Sequence, residues 1–350
     1  VQAQILRLLE ELQAETGMGL LIITHDLGVV AEMADRVVVM NSGEIVETGT
    51  ALEVYRNPQH AYTRKLIAAA PGKGEMSAGV TQVEPLLSMR NVTKTYGGLK
   101  ALDSVHLDLM PGETLAVVGE SGSGKSTTAK LLLRLEQANG GEAIYNGRDI
   151  FQLSPRELFE MRRDIQMVFQ DPTQSLNPRM SVYDLISEAW VIHSEILPKA
   201  KWKTRVAELL EQVGLEAEHM HRYPHQFSGG QRQRIAIARA LALEPKIIVC
   251  DEAVSALDVS IQAQVIQLLA RLKNELGLSY IFIAHDLPVV RDFADRVLVM
   301  QGGKVVETGT VKQIFEEPRE KYTQDLLAAS LDPDPEVQAA RRKAILEVAS

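Results

Sequence analysis

An α/β fold with a largely parallel sheet covered on both faces is what this sequence predicts, and three observations carry the prediction. Short, continuous apolar runs recur, each followed by a loop and an amphipathic stretch, as expected of parallel strands buried on both faces. One run leads into a glycine-rich turn that opens directly into a helical pattern. Finally, positions 1–70 and 261–330 align without a gap at an offset of 260 and match at 32 of 70 places. That period is far too long for a solenoid, so one domain-sized unit is present twice, the first time only in part.

The elements follow in order. Ile5, Leu8, Leu9 and Leu12 fall at i, i+3, i+4 and i+7, the apolar face of a helix. "GLLIITH" (Gly19–His25) has the continuous apolar character of a buried strand. "RVVVMNSGEIVETG" predicts a hairpin joined at Asn41-Ser42-Gly43. Pro71–Pro85, rich in Pro, Gly and small polar residues, predicts a short flexible linker between a unit at 1–70 and a longer one at 86–330. From Leu86 to Glu113 apolar and polar residues alternate, which predicts an antiparallel β-subdomain. "TLAVVGESGSGKSTTAKLLLRL" is a strand, a glycine-rich turn and an amphipathic helix. Residues from about 171 to 242 are mostly helical in pattern, and "PKIIVCDE" and "LSYIFIAHD" supply two more buried strands. In the tail, 331–350, Asp334 is placed to N-cap a short helix with Pro335 at its first position.

Composition limits the function. The 350 residues are 45% apolar and 24% charged, enough for a packed core and too apolar for wholesale disorder. A net charge of -9 argues against gripping DNA or RNA, which takes a basic stripe. The lone Cys250 excludes an internal disulfide and fits a reducing compartment. No apolar run approaches the ~20 residues of a membrane span, and no signal peptide is recognisable at Val1–Glu11. These features predict an acidic, soluble, cytosolic protein.

Three motifs carry chemistry. "GESGSGKS", Gly119–Ser126, has the G-x-x-x-x-G-K-[ST] spacing of a phosphate loop. Its glycines let backbone N–H groups of Gly119, Glu120, Ser121, Gly122, Ser123 and Gly124 turn inward, and the helix beginning there directs its positive end at phosphates. Lys125 supplies a cation for the β- and γ-phosphates, and Ser126 a hydroxyl for Mg²⁺, with Thr127 beside it. "IIVCDE" ends an apolar strand in paired carboxylates. An isolated Asp-Glu is commonly just a solvated strand end, but downstream of a phosphate loop Asp251 reads as a metal ligand and Glu252 as the general base. "FSGGQRQR", Phe227–Arg234, is a second amide-rich turn opening a helix. Two anion-gripping devices in one domain make sense if each grips a different nucleotide, held between two domains. The histidines of "HMHRYPH" lack a cysteine or carboxylate to complete a metal set; His225 is expected instead to orient the Ser-Gly-Gly turn that follows. Cys250, inside its apolar strand, reads as a structural thiol.

On these motifs, residues 86–330 resemble the nucleotide-binding domain of ATP-binding cassette (ABC) transporters, and residues 1–70 resemble the last part of another. The resemblance implies a P-loop NTPase fold with a RecA-like parallel-sheet core, an antiparallel β-subdomain and a helical subdomain at about 171–242. It implies ATP and Mg²⁺ as cofactors and assigns further residues. Tyr96 in "KTYGG" would stack on adenine. Gln170 in "VFQDP" would contact Mg²⁺ and water. "SALD" (Ser255–Asp258) would be the D-loop, and His285 the switch histidine at the γ-phosphate. Ser228, Gly229, Gly230 and Gln231 would close over ATP held by an opposing domain.

The subtype follows from what accompanies these motifs. Fused membrane helices, zinc-binding cysteines, a long coiled coil and a long charged interdomain helix are features of other branches, and none is seen here. "FQDPTQSLNPRMSV", "NPQHAYTRKLIAAAP" and "EPREKYTQDLLAAS" are similar to the dipeptide, oligopeptide, glutathione and nickel importer ATPases. That resemblance implies peripheral attachment to the cytoplasmic face of the membrane. The implied partners are transmembrane permease subunits, through them a periplasmic or extracellular solute-binding protein, and a second ATPase domain. A soluble ABC ATPase acting on ribosomes or DNA would share every nucleotide contact, whereas a P-loop kinase would leave "FSGGQ" unexplained. His25 aligns with His285 and Val1 with Ile261, so the sequence is expected to begin just past the first D-loop of a fused two-cassette ATPase, with the opposing signature supplied by the missing half or by a second copy.

Overall fold

The computed structural model describes residues 2–72, 74–77, 79–80 and 83–340. It has the α/β cassette architecture anticipated above. The first unit runs α1 (Gln2–Thr16), α2 (Leu27–Met33), β1 (Arg36–Asn41), β2 (Glu44–Thr50), α3 (Ala51–Arg56) and α4 (Ala61–Ala68). The second begins with β3 (Leu87–Tyr96), β4 (Leu99–Leu109), β5 (Thr114–Val118), α5 (Lys125–Leu132), β6 (Gly140–Tyr145) and β7 (Arg148–Asp149). Then come α6 (Pro155–Asp164), β8 (Ile165–Val168), α7 (Pro172–Ser175), α8 (Val182–Ile192), α9 (Trp202–Gln212) and α10 (Gly229–Leu241). The last part is β9 (Ile247–Asp251), α11 (Val259–Leu276), β10 (Ser279–Ile283), α12 (Leu287–Phe293), β11 (Arg296–Gln301), β12 (Lys304–Thr310), α13 (Val311–Glu316) and α14 (Lys321–Ala328).

The main sheet has the order β12-β11-β5-β10-β9-β8. All its pairs are parallel except β11–β12, which is an antiparallel hairpin. Side-chain alternation explains its unbroken apolar strands. Ala116 and Val118 of β5, with Tyr280 and Phe282 of β10, face the helical core. Leu115, Val117, Ile281 and Ile283 face the second core, beneath the antiparallel sheet β4-β3-β6-β7. With both faces buried, period-2 polarity disappears. The C-terminal ends of β5, β8, β9 and β10 lie along one edge, where ligands bind in open α/β sheets.

Three expectations need correction. Gly19–His25 is not a strand: it has no regular structure, and Leu21 and Ile23 are 88% and 94% exposed. Their repeat mates, Ile281 and Ile283, are buried in β10 between β5 and β9. A central parallel strand makes its hydrogen bonds entirely with neighbours, and the described residues place none beside Gly19–His25. The same cause leaves Val38 and Met40 of β1 half-exposed, although Leu298 and Met300 at the matching positions are buried. The hairpin itself forms in both copies, with a bulge at the same place, because its bonds are local.

The linker is also not free. Asp292 accepts bonds from the Gly72 and Gly74 amides at 2.6 and 3.0 Å, Arg291 donates to both carbonyls, and Ser77 Oγ donates to Asp295 at 2.6 Å. Residues 73, 78, 81 and 82 of the linker lie outside the described residues. Finally, His225 stacks on Tyr223 and makes no described contact with the signature turn; His219 instead packs edge-on against Phe227, just before that turn.

Asp334 does cap the helix starting at 335, accepting from the Glu336 amide at 3.0 Å. The same short segment ties the two copies together: Arg56 pairs with Asp334 and Glu336, and Gln338 Nε2 donates to Glu32 at 2.7 Å. The remainder of the tail, 341–350, lies outside the described residues.

Candidate functional site

The site is assembled from loops at the C-terminal ends of four parallel strands. After β5 the chain turns at Gly119, whose φ of +145° and crowding permit no side chain: a Cβ there would stand 2.1 Å from the Met300 carbonyl oxygen. The loop then runs into α5, whose N-cap is Gly124. Lys125 is buried and donates through Nζ to the carbonyls of Gly119 (2.8 Å) and Glu120 (2.9 Å). Burial pulls its ammonium below the ordinary lysine range, and the Glu252, Asp251 and Glu120 carboxylates oppose that pull. The Ser123 hydroxyl is buried in the same loop without a hydrogen-bond partner, an unmet polar atom of the sort a bound anion satisfies.

Next to the loop, Ser126 Oγ donates to Asp251 Oδ1 at 3.2 Å. Burial raises the Asp251 carboxyl, the Ser126 hydroxyl lowers it, and neighbouring Glu252 raises it further. A cation here would relieve that cost. Hydroxyl, carboxylate and amide oxygens from Ser126, Asp251 and Gln170 are the hard donors that Mg²⁺ prefers, so the residues present fit the ion.

Glu252 is the centre of a three-residue arrangement. One carboxylate oxygen, Oε2, accepts from Gln170 Nε2 at 3.0 Å and lies 3.2 Å from His285 Nδ1. No described hydrogen bond reaches Oε1. The backbone of Glu252 is left-handed, φ 49°, an unfavourable state for a residue with a side chain. It is held there by bonds from its amide to the Ile283 carbonyl and from Ser255 Oγ to its own carbonyl. The conformation turns the carboxylate out of the strand end toward Gln170 and His285.

The other expected residues lie around this centre. Tyr96 is partly exposed at the end of β3, its hydroxyl bonded to Glu136 and its ring 4.8 Å from Lys94 Nζ. Its face is therefore already a cation-stacking surface. Ser228 caps α10 in a reciprocal capping box with Gln231. Gly230 leaves no room for a side chain, because a Cβ would meet Ile261 of α11 at 2.2 Å. Among the described residues, no hydrogen bond joins this turn to the phosphate loop. Gly119, Lys125, Ser126, Gln170, Asp251, Glu252 and His285 are brought together, and Ser228–Gln231 stand apart from them.

Some residues were not foreseen. Arg232 donates to Thr173 Oγ1 at 3.0 Å and Arg239 to the Ser175 carbonyl at 2.8 Å, tying α10 to α7 just after Gln170. Asp286, raised by burial, caps α12 and accepts from Gln262 Nε2 at 3.0 Å, so it fixes the turn that carries His285. The repeat signals this one, since His-Asp occurs in both copies. Cys250 is fully buried, its thiol pushed up to about 12 by burial; it remains a neutral packing group.

Residues 102–255 match the protein-family model described as "ABC transporter". Residues 46–90 and 306–348 match the one described as "Oligopeptide/dipeptide transporter, C-terminal region". The chain is 49% identical to glutathione import ATP-binding proteins of Escherichia coli (strain K12) and Shigella flexneri, over 98% of its own length and 60% of theirs. It thus spans about three fifths of the length of those relatives. Among solved structures, it is similar to cbiO1 of Clostridium perfringens, part of the ABC transporter complex cbiONQ, with TM-score 0.62 and 30% identity over 67% of this chain and 92% of that one. The ATP-binding cassette MJ0796, in a dimeric post-hydrolysis state with ADP and Pi, gives TM-score 0.59 and 32% identity over 64% and 98%.

Proposed function

Because the chain belongs to the ABC transporter ATP-binding family, we propose that it binds and hydrolyses ATP to energise an importer for peptides or similar small solutes. The observation that carries the ATPase reading is the Glu252 carboxylate, held on one oxygen by Gln170 and His285 and open on the other, beside the phosphate loop. The importer reading rests on the two matches to the oligopeptide/dipeptide C-terminal region and on the glutathione-import relatives. Among the described residues no helix is long and apolar enough to cross a membrane, so the translocation path would belong to separate permease subunits, reached from the cytoplasmic face. A binding protein would deliver solute to those permeases from outside.

In this reading each residue has a task. Tyr96 stacks on the adenine. The loop amides after Glu120, up to Gly124, surround the phosphates, the Glu120 N–H being turned away to the Tyr322 hydroxyl, and Lys125 turns from the Gly119 and Glu120 carbonyls toward the β- and γ-phosphate oxygens. Ser126, Asp251 and Gln170 would hold Mg²⁺, which neutralises phosphate charge as the transfer proceeds. Glu252 takes the proton of the attacking water through its open oxygen, and His285 stands beside the γ-phosphate. Ser228–Gln231 close over a nucleotide held by an opposing cassette. The Arg232 and Arg239 ties to α7 pass that closure to the segment after Gln170, where a permease would dock.

Transport is tested by fractionation. Expressed in its native host, the protein should be recovered from the membrane fraction together with multi-helix permease subunits. Stable sedimentation with ribosomes, without permeases, would contradict the importer reading while leaving the nucleotide chemistry intact.

A further inference from the structure

We propose that Tyr322 is a positioning residue for the phosphate loop: from helix α14 it pins the Glu120 peptide and so pre-forms the cradle that receives the nucleotide. The inference rests on the reading of Gly119–Ser126 as the ATP site.

The Glu120 amide donates to the Tyr322 hydroxyl oxygen at 3.1 Å, across 202 residues of sequence. The carbonyl of Glu120 accepts from Lys125 Nζ at 2.9 Å. The two bonds grip one residue of the loop from opposite sides, Tyr322 holding its N–H and Lys125 its C=O. When Lys125 turns toward phosphate oxygens, Tyr322 is the anchor that stays. Tyr322 is itself partly buried against the helical core, and burial raises its phenol, which stays neutral and able to accept.

The ring is well placed to hold the loop because the N-terminal end of α14, where Tyr322 sits, is itself fixed. Glu307 of β12 accepts from the amides of Arg319 (2.9 Å) and Glu320 (3.2 Å), just ahead of α14, and Gln324 Nε2 closes the turn on the Pro318 carbonyl at 3.0 Å. The first copy repeats this construction. Glu47 accepts from the Gln59 and His60 amides at 2.7 and 3.0 Å, and α4 carries Tyr62 at the position of Tyr322. Among the described residues no phosphate loop accompanies the first copy. Tyr62 is therefore a built-in control with the same residue on the same helical frame.

A single neutral hydrogen bond contributes about 1 kcal/mol, about fivefold in affinity, when it pre-organises a binding loop. The test compares Tyr322→Phe and Tyr62→Phe with the unsubstituted chain, by calorimetric titration with MgATP and by hydrogen exchange at the Glu120 amide without nucleotide. Phenylalanine keeps the ring and removes only the hydroxyl. Tyr322→Phe should weaken ATP binding about fivefold and speed exchange at Glu120, and Tyr62→Phe should change neither. Unchanged or tighter ATP binding by Tyr322→Phe overturns the proposal, even if its thermal midpoint falls, and so does an equal loss in Tyr62→Phe. Failure of the unsubstituted chain to bind ATP would remove the phosphate-loop reading itself.

Discussion

Glu252→Gln is expected to lower steady-state ATP hydrolysis by about two to four orders of magnitude while leaving ATP binding intact, measured as phosphate release against calorimetric affinity. The substitution keeps the shape of the side chain and its place beside Gln170 and His285, both of which approach Oε2. What it removes is the basicity of the other oxygen. The left-handed backbone at Glu252 is held by main-chain and Ser255 bonds, so the amide should occupy the carboxylate's position. Loss of binding together with turnover would mean a structural failure, and near-normal turnover would remove Glu252 as the base.

Lys125→Ala should act on the other term, weakening ATP binding by about 10- to 150-fold, the equivalent of charged hydrogen bonds worth about 1.5–3 kcal/mol. Lys125 is the buried cation closest to the phosphate cradle, and Asp251, Glu252 and Glu120 all act on it electrostatically. Its removal both deletes the phosphate contact and leaves those carboxylates repelling an incoming polyanion. Calorimetry with MgATP reads the result directly, and an unchanged affinity would contradict the phosphate-loop reading. The two substitutions therefore separate binding from chemistry at one site.

Much of this site is legible in the sequence because its parts are local. A glycine-rich turn between a strand and a helix, two carboxylates at a strand end and a Ser-Gly-Gly turn opening a helix each declare themselves within ten residues. The antiparallel subdomain and the hairpins are legible for the same reason, since neighbouring segments make their bonds. What fails is what depends on distant neighbours. Gly19–His25 has the composition of β10, yet Leu21 and Ile23 lie in solvent where no flanking strands are available. The linker's glycines and small polar residues suggest freedom, but Asp292 and Asp295, more than two hundred residues away, supply the acceptors that hold it. Periodicity carries no information about such partners. The arginine ties from α10 to α7 and the Glu120–Tyr322 bond were invisible for the same reason.

The central claim is that Gly119–Ser126, with Asp251 and Glu252, build a nucleotide site among the described residues. The most direct test is MgATP binding to the Glu252→Gln chain, by titration calorimetry under conditions where hydrolysis cannot blur the isotherm. Saturable binding that weakens about 10- to 150-fold on adding Lys125→Ala is the predicted result. No binding, or binding indifferent to Lys125, would contradict it.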